Sequence, residues 1–99
     1  MITGPPGNQE AEVRFQIYRE TLKECGVAYN ERLIAEGDFI KNSGTEAMKQ
    51  LLKVNTSIDV VFAANDGMAL GAIKALKESN YQVPGDVAVS YTHLTLPTN

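Results

Sequence analysis

Apolar residues recur at helical spacing in three stretches of the chain and form one unbroken run between the second and third. In the first stretch Ala11, Phe15, Tyr18, Leu22 and Cys25 fall three and four apart and mark one face of a helix. Asn8 is its predicted N-cap, Glu10 and Glu12 occupy the first turn where the helix dipole favours carboxylates, and Gly26 is the stop. This stripe expects Cys25 as a small buried hydrophobe and leaves Arg14 off the apolar face. A second helix is expected from Ser43-Gly44-Thr45-Glu46, which reads as a capping box. It carries Ala47, Met48, Leu51 and Leu52 and is closed by Asn55-Thr56-Ser57. The third is capped by Asp66, carries Met68, Ala69, Ala72, Ile73 and Leu76, and stops at Asn80 in a left-handed conformation.

Short strand candidates separate these helices: Met1–Thr3, Arg32–Glu36, Asp59–Ala64 and Val87–Val89, the last following a turn at Tyr81–Asp86 that contains Pro84. The run Asp59-Val60-Val61-Phe62-Ala63-Ala64 does not alternate, as expected of a strand covered on both faces. Strands alternating with helices of this length imply an α/β fold, a parallel sheet flanked by helices with right-handed crossovers. Ligands of such sheets sit beyond the carboxyl ends of the strands. The loops to watch are therefore Gly4–Asn8, Gly37–Asn42 and Asn65–Asp66.

Composition narrows the chemistry. The chain has 99 residues, 43% of them apolar and 21% charged, with a formal net charge of −3. That is one globular domain at most, near the lower limit for a self-sufficient core. Basic residues are interleaved with acidic ones, so no patch tracks a phosphate backbone. The single cysteine, Cys25, leaves no internal disulfide and fits a reducing compartment. There is no transmembrane run and no signal peptide.

Catalytic and metal arrangements are thin. The only histidine, His93, lies in an unusual tail, Ser43 reads as a cap, and Ser90 has no visible base. No cofactor, metal or enzymatic activity is expected. The Gly4-Pro5-Pro6-Gly7 loop lacks a following Lys-Ser/Thr and its prolines remove donors, so it reads as a connector rather than a phosphate cradle. What remains is polar chemistry at strand ends. Asn65 offers an acceptor and two donors, Phe39 an apolar platform, and Arg14 a forked donor. Their bland alternatives are a helix cap, a core aromatic and a surface arginine.

At these residues a family resemblance begins. Ala63-Ala64-Asn65-Asp66-Gly67-Met68-Ala69-Leu70-Gly71-Ala72-Ile73 resembles the A-N-D-x-M-A-L-G-A signature of lac-repressor-type (LacI/GalR) regulators and their periplasmic sugar-binding relatives. Ile2-Thr3-Gly4-Pro5 followed by Arg14 is similar to the family's I-x-G-P…R. Gly37-Asp38-Phe39…Ser43-Gly44…Ala47-Met48…Leu51-Leu52 is similar to G-D-F…S-G…A-M…L-L, and Val83-Pro84-Gly85-Asp86-Val87-Ala88-Val89 to V-P-x-D-V-x-V. The four motifs keep the family's order over residues 2–89.

The resemblance implies one lobe of a type I periplasmic-binding-protein-like fold, with residues 1–89 supplying most of the C-terminal lobe of a sensor domain. It implies that Arg14, Phe39 and Asn65 face a cleft and contact a sugar-like or nucleobase-like effector. Asp66 is a helix cap first and a ligand contact second. Leu70 lies on a helix similar to one at the family's dimer interface, with plain core as the equal alternative. The implied parent is a cytoplasmic homodimeric transcription repressor that meets operator DNA through a headpiece outside this chain, with no membrane partner. The solute receptor of a sugar transporter is the second reading; the V-P-x-D turn and the G-D-F…S-G…A-M pairing look more like repressors.

Three departures stand out. Ile17 replaces a glycine that lets the first helix pack closely, and Asn80 replaces a frequent glycine. After Val89 the family continues G-[FY]-D-[DN], whose first Asp contacts ligand. Here residues 90–99 carry no Asp, Glu, Lys or Arg, match nothing in the family, and read as translated adapter or vector sequence at a truncated frame.

Overall fold

Four short parallel strands alternate with three α-helices in a computed structural model that describes residues 1–54 and 57–91. In chain order they are β1 (Ile2–Thr3), α1 (Gln9–Glu24), β2 (Ala35–Glu36), α2 (Lys41–Val54), β3 (Val60–Ala63), α3 (Asp66–Glu78) and β4 (Ala88–Tyr91), with a 3₁₀ turn at Glu31–Leu33. The sheet order is β2-β1-β3-β4, so the chain steps outward once and then crosses back over β1. With right-handed crossovers, α1 lies on one face and α2 and α3 pack together on the other.

The α2–α3 face holds the core. Ile2, Ala35, Val61 and Ala63 on the strands meet Ala47, Met48 and Leu51 of α2 and Met68, Ala69, Ala72 and Leu76 of α3, all fully buried or nearly so. The two helices come unusually close because Gly44 faces the Met68 backbone while Gly71 faces the Lys41 carbonyl and the Thr45 amide. A Cβ at either glycine would overlap main chain rather than a movable side chain. The Thr45 hydroxyl donates to the Gly71 carbonyl at 3.0 Å, fixing the crossing. The other face is covered less fully. Tyr18 of α1 stacks on Phe62 of β3 (6.3 Å between centroids, 9° between planes), yet Val60 on the same strand is 61% exposed. The run through β3 is thus covered fully on one face only.

Several sequence expectations are corrected. Ser43 does not cap α2: the helix starts two residues earlier, and the Ser43 hydroxyl accepts from the Asp38 amide at 2.9 Å while donating to the Ile40 carbonyl at 2.7 Å. The Asp38 carboxylate accepts from the Ile40 amide at 3.0 Å, so a turn centred on Asp38 replaces the capping box. Cys25 is exposed, because it is the C-cap of α1 rather than part of its buried stripe. Arg14, expected off that stripe, is inside it. The strand expected from Arg32 is β only at Ala35–Glu36, its first half being the 3₁₀ turn. The last strand extends past Val89 through Ser90 and Tyr91, which pair in register with Phe62 and Ala63. Asn55, Thr56 and His93 lie outside the described residues.

Other expectations hold. Asn8 caps α1, its side chain accepting from the Ala11 amide at 3.0 Å. Gly26 (φ 73°) and Asn80 (φ 69°) both end helices in the left-handed region. Each end is closed by a pair of reversed bonds, Val27 to Leu22 and Gly26 to Lys23 in α1, Tyr81 to Leu76 and Asn80 to Lys77 in α3. Ile17, where the resemblance expects glycine, is 48% exposed.

Two predictions follow from packing and burial. Gly71→Ala is expected to lower stability by about 2–3 kcal/mol, because α2 and α3 must part along their buried faces; urea unfolding followed by circular dichroism measures it. A loss under about 0.5 kcal/mol would show that the crossing is loose. In the 99-residue chain taken by itself the amino group of Met1 is buried, donates to the Leu33 carbonyl at 2.7 Å, and is pushed down by desolvation from 8.0 to about 6. The unfolded chain therefore binds more protons between these values, so stability is expected to rise by on the order of 2 kcal/mol from pH 6 to pH 8. Equal urea midpoints at the two pH values would contradict this.

Candidate functional site

Each of the three loops at the carboxyl ends of β1, β2 and β3 delivers one element of a single cluster. After β1, Gly4 lacks a side chain where a Cβ would stand 2.6 Å from the Phe39 ring and 2.7 Å from Ala11. The ring and the first turn of α1 can therefore both close on the strand end. After β2, Phe39 adopts φ 72°, a left-handed conformation that a bulky residue rarely holds. After β3, Asn65 is the N-cap of α3.

Asn65 ties the loops together. Its Oδ1 accepts from the Met68 amide at 2.9 Å, and its Nδ2 donates to the Phe39 carbonyl at 2.9 Å. The same amide thus starts a helix and holds the strained backbone of Phe39. One lone pair and one N–H remain for other partners.

Arg14 is only 8% exposed, projecting from the buried stripe of α1. Its Nη1 donates to the Ala64 carbonyl at 2.8 Å, and its guanidinium lies 5.6 Å from the centroid of the Phe39 ring. Glu10, one turn earlier, places a carboxylate oxygen 3.8 Å from Nη2. Nε is buried without a hydrogen-bond partner. A buried guanidinium with an unused donor is costly unless something else shares it.

Of the residues singled out in the sequence, Arg14, Phe39 and Asn65 are brought together. Phe39 is not a free platform: it is half-buried against the core, with Gly4 and Arg14 on it. Asp66 is not the cap expected of it. It is the exposed first residue of α3, one position past the cap, where its charge favours the helix N-terminus. Leu70 is 57% exposed on the outer side of α3, which rules out the plain-core alternative within this chain. Sequence reasoning missed Asp38 and Ser43, whose hydrogen bonds shape the Phe39 turn. Bonding to Ser43 first, and to the Ile40 backbone, holds the Asp38 carboxyl below the usual carboxylate range. The G-D-F…S spacing carried that signal.

A broad groove of about 740 Å³ opens beside the cluster at Gly4–Gly7 and Ala11 and runs between α1 and the β2 edge, past Phe15, Arg19, Lys23 and Glu36. It includes none of Arg14, Phe39 and Asn65. Among the described residues no group of His, Cys, Asp and Glu is placed to hold a metal ion, and no helix is long and apolar enough to cross a membrane.

Comparison with known proteins now decides the family. The profile of a periplasmic binding protein-like domain matches residues 1–92. The chain belongs to that family. Among curated relatives, the HTH-type transcriptional regulator CelR of Thermobifida fusca is 44% identical over 88 residues, 89% of this chain and 26% of that protein. The ribose operon repressor of Escherichia coli is 40% identical over 88 residues, 89% of this chain and 27% of that protein. Among solved structures, a CelR–cellobiose complex superposes with a TM-score of 0.87 at 44% identity, covering 89% of this chain and 27% of that one. A lac repressor dimer bound to operator and an anti-inducer gives 0.82 at 30% identity, covering 89% and 26%. These relatives are LacI-type regulators, and the chain spans about a quarter of their length.

The double use of Asn65 generates a stability prediction. Asn65→Ala, which removes cap and tether together, is expected to cost about 2 kcal/mol, and Asn65→Ser, which keeps a cap but cannot reach Phe39, about half that. Urea titrations of the two variants separate the effects. An Asn65→Ser variant as stable as the parent would show that the Phe39 tether contributes nothing, and equal losses in the two variants that the cap contributes nothing.

Proposed function

We propose that residues 1–89 form most of the C-terminal lobe of the effector-sensing domain of a LacI-type transcription regulator. One observation carries this reading: Arg14, Phe39 and Asn65, from three separate elements, converge at the carboxyl ends of a parallel sheet. That is where open α/β sheets bind ligands. The effector is sugar-like. Its hydroxyls accept from the free N–H groups of Arg14 and Asn65 and donate to Asp66 at the rim, while the Phe39 ring, steadied by Arg14, borders an apolar face of the ligand.

The regulatory step follows from what is attached to Asn65. An effector held between two lobes favours their closed arrangement, and a shift between open and closed lobes changes dimer geometry. Leu70, exposed on the helix that Asn65 caps, is the residue we place in that homodimer contact. Operator DNA is met by a headpiece outside this chain; the interleaved charges here offer no phosphate track. The protein is cytoplasmic and not an enzyme in this reading. The names of the relatives favour a regulator over the solute receptor of a transporter.

The test uses the intact regulator that carries this segment. Asn65→Ser is expected to weaken the effector response roughly tenfold or more while operator binding without effector persists. Fluorescence anisotropy on labelled operator, with and without effector, reads both quantities. An unchanged response would refute the contact, and loss of operator binding as well would reduce Asn65 to a folding role.

A further inference from the structure

The sheet order leaves β2 at one edge, and among the described residues nothing pairs with its outer side. Ala35 and Gly37 turn their amides inward, to the carbonyls of Met1 and Thr3. Backbone groups alternate along a strand, so the N–H and C=O of Glu36 and the C=O of Ile34 point outward. Ile34 is itself extended (φ −114°, ψ 129°), which carries strand geometry one residue upstream of β2. An edge of this kind is a template for an added strand.

Two grooves meet along it. The one that opens at Gly4–Gly7 follows α1, and a second of about 560 Å³ wraps the strand between Tyr29 and Gln50. Phe15, Ile34 and Glu36 line both. Phe15 and Tyr29 stand 6.1 Å apart between ring centroids, and Arg19 lies over both rings at 5.5 and 5.6 Å. Tyr29 is still 41% exposed. Single apolar residues on a surface are ordinary, but an aromatic wall beside unpaired backbone gives an added strand both hydrogen bonds and a seat for its side chains.

The charge at the edge is one-sided. The second groove is lined by Glu31 and Glu36 and by no lysine or arginine. Glu12, Glu31 and Glu36 form no ion pair among the described residues, and Arg19 is taken up by the two rings. This pattern discriminates between occupants. A second copy adding its own β2 would set like carboxylates against each other. Residues 92–99 hold no lysine or arginine and follow β4, at the opposite edge. Nucleic acid would bring phosphates to carboxylates. An extended protein segment carrying Lys or Arg is complementary on every count.

We infer that the outer edge of β2 is a docking site for an extended, basic segment of a partner protein, added to the sheet as a further strand. The inference goes beyond the proposed function and does not depend on it, since neither groove includes Arg14, Phe39 or Asn65. The backbone of the segment accepts from the Glu36 N–H and donates to the carbonyls of Glu36 and Ile34. Because side chains alternate between faces, an apolar residue against Phe15 and Ile34 is followed two positions on by a Lys or Arg against Glu36.

Blocked pentapeptides test it: Lys-Val-Lys-Val-Lys, Glu-Val-Glu-Val-Glu, and a backbone-N-methylated form of the first. They are titrated at millimolar concentrations into the isotope-labelled 99-residue chain, with the Glu36 amide followed by NMR. As fluorescent conjugates they are also titrated into a CelR chimera in which residues 2–89 replace the aligned segment, so that the result is independent of the isolated chain's stability. The lysine peptide is expected to shift the Glu36 amide and to bind roughly tenfold or more tightly than the glutamate peptide. N-methylation is expected to weaken it by a similar factor, and Glu31→Lys with Glu36→Lys to reverse the charge preference. Equal affinity for the two charge patterns, or indifference to N-methylation, overturns the inference, as does binding to neither protein. Shifts of the Glu36 amide that grow with protein concentration in the absence of peptide put a second copy on the edge instead. Binding to the chain and not to the folded chimera shows that the regulator's own polypeptide covers the edge, and overturns the partner reading.

Discussion

The side chain of Asn65 is one short amide placed where three pieces of chain must meet. Its oxygen satisfies a donor at the start of α3, and its nitrogen holds the carbonyl of Phe39, which lies 26 residues away in sequence. That second bond, with the Asp38 and Ser43 bonds of the same turn, holds Phe39 at its positive φ and its ring between Gly4 and Arg14. Arg14 depends on the same corner, since its Nη1 bonds the carbonyl of Ala64, the residue just before Asn65. The cluster is therefore one construction: moving any of the three side chains disturbs the partners of the other two.

The rigidity behind this corner comes from the opposite side of the sheet. Gly44 and Gly71 bring α2 and α3 to backbone contact, and Thr45 bonds across the crossing. Interiors packed this closely shift between discrete arrangements rather than deform continuously. The α3 helix is held at its flank by this packing and at its start by the Asn65 cap. Its outer side carries Leu70, which is 57% exposed.

Much of this fold was legible because the helices bury one face and so repeat every three to four residues. Ala47, Met48 and Leu51, and likewise Met68, Ala69, Ala72 and Leu76, are buried as their spacing demands. The misreadings have particular causes. Asn65 and Asp66 are adjacent and both good caps, and only tertiary structure shows that the Phe39 carbonyl recruits the first. Ser43 and Glu46 have capping-box spacing, but the Asp38 turn starts the helix earlier and takes the serine hydroxyl. Arg14 was set outside the apolar face by its charge. Yet it falls three residues after Ala11, and a nearby carbonyl and aromatic ring make its burial tolerable. Strand ends were blurred because two-residue strands leave almost no alternation to read.

The residues that carried the family resemblance divide unevenly between upkeep and recognition. Gly37, Gly44 and Gly71 are present because neighbouring atoms leave no room for a Cβ. That is a packing reason, and it would hold in a relative with any ligand. Ser43 and Asp38 shape a turn, again with no reference to what binds. Arg14 and Asn65 keep hydrogen-bonding capacity that the fold does not use. A motif match thus identifies the scaffold more firmly than it identifies the ligand. The ligand is better read from what the scaffold leaves unsatisfied, here the spare donors of Arg14 and Asn65.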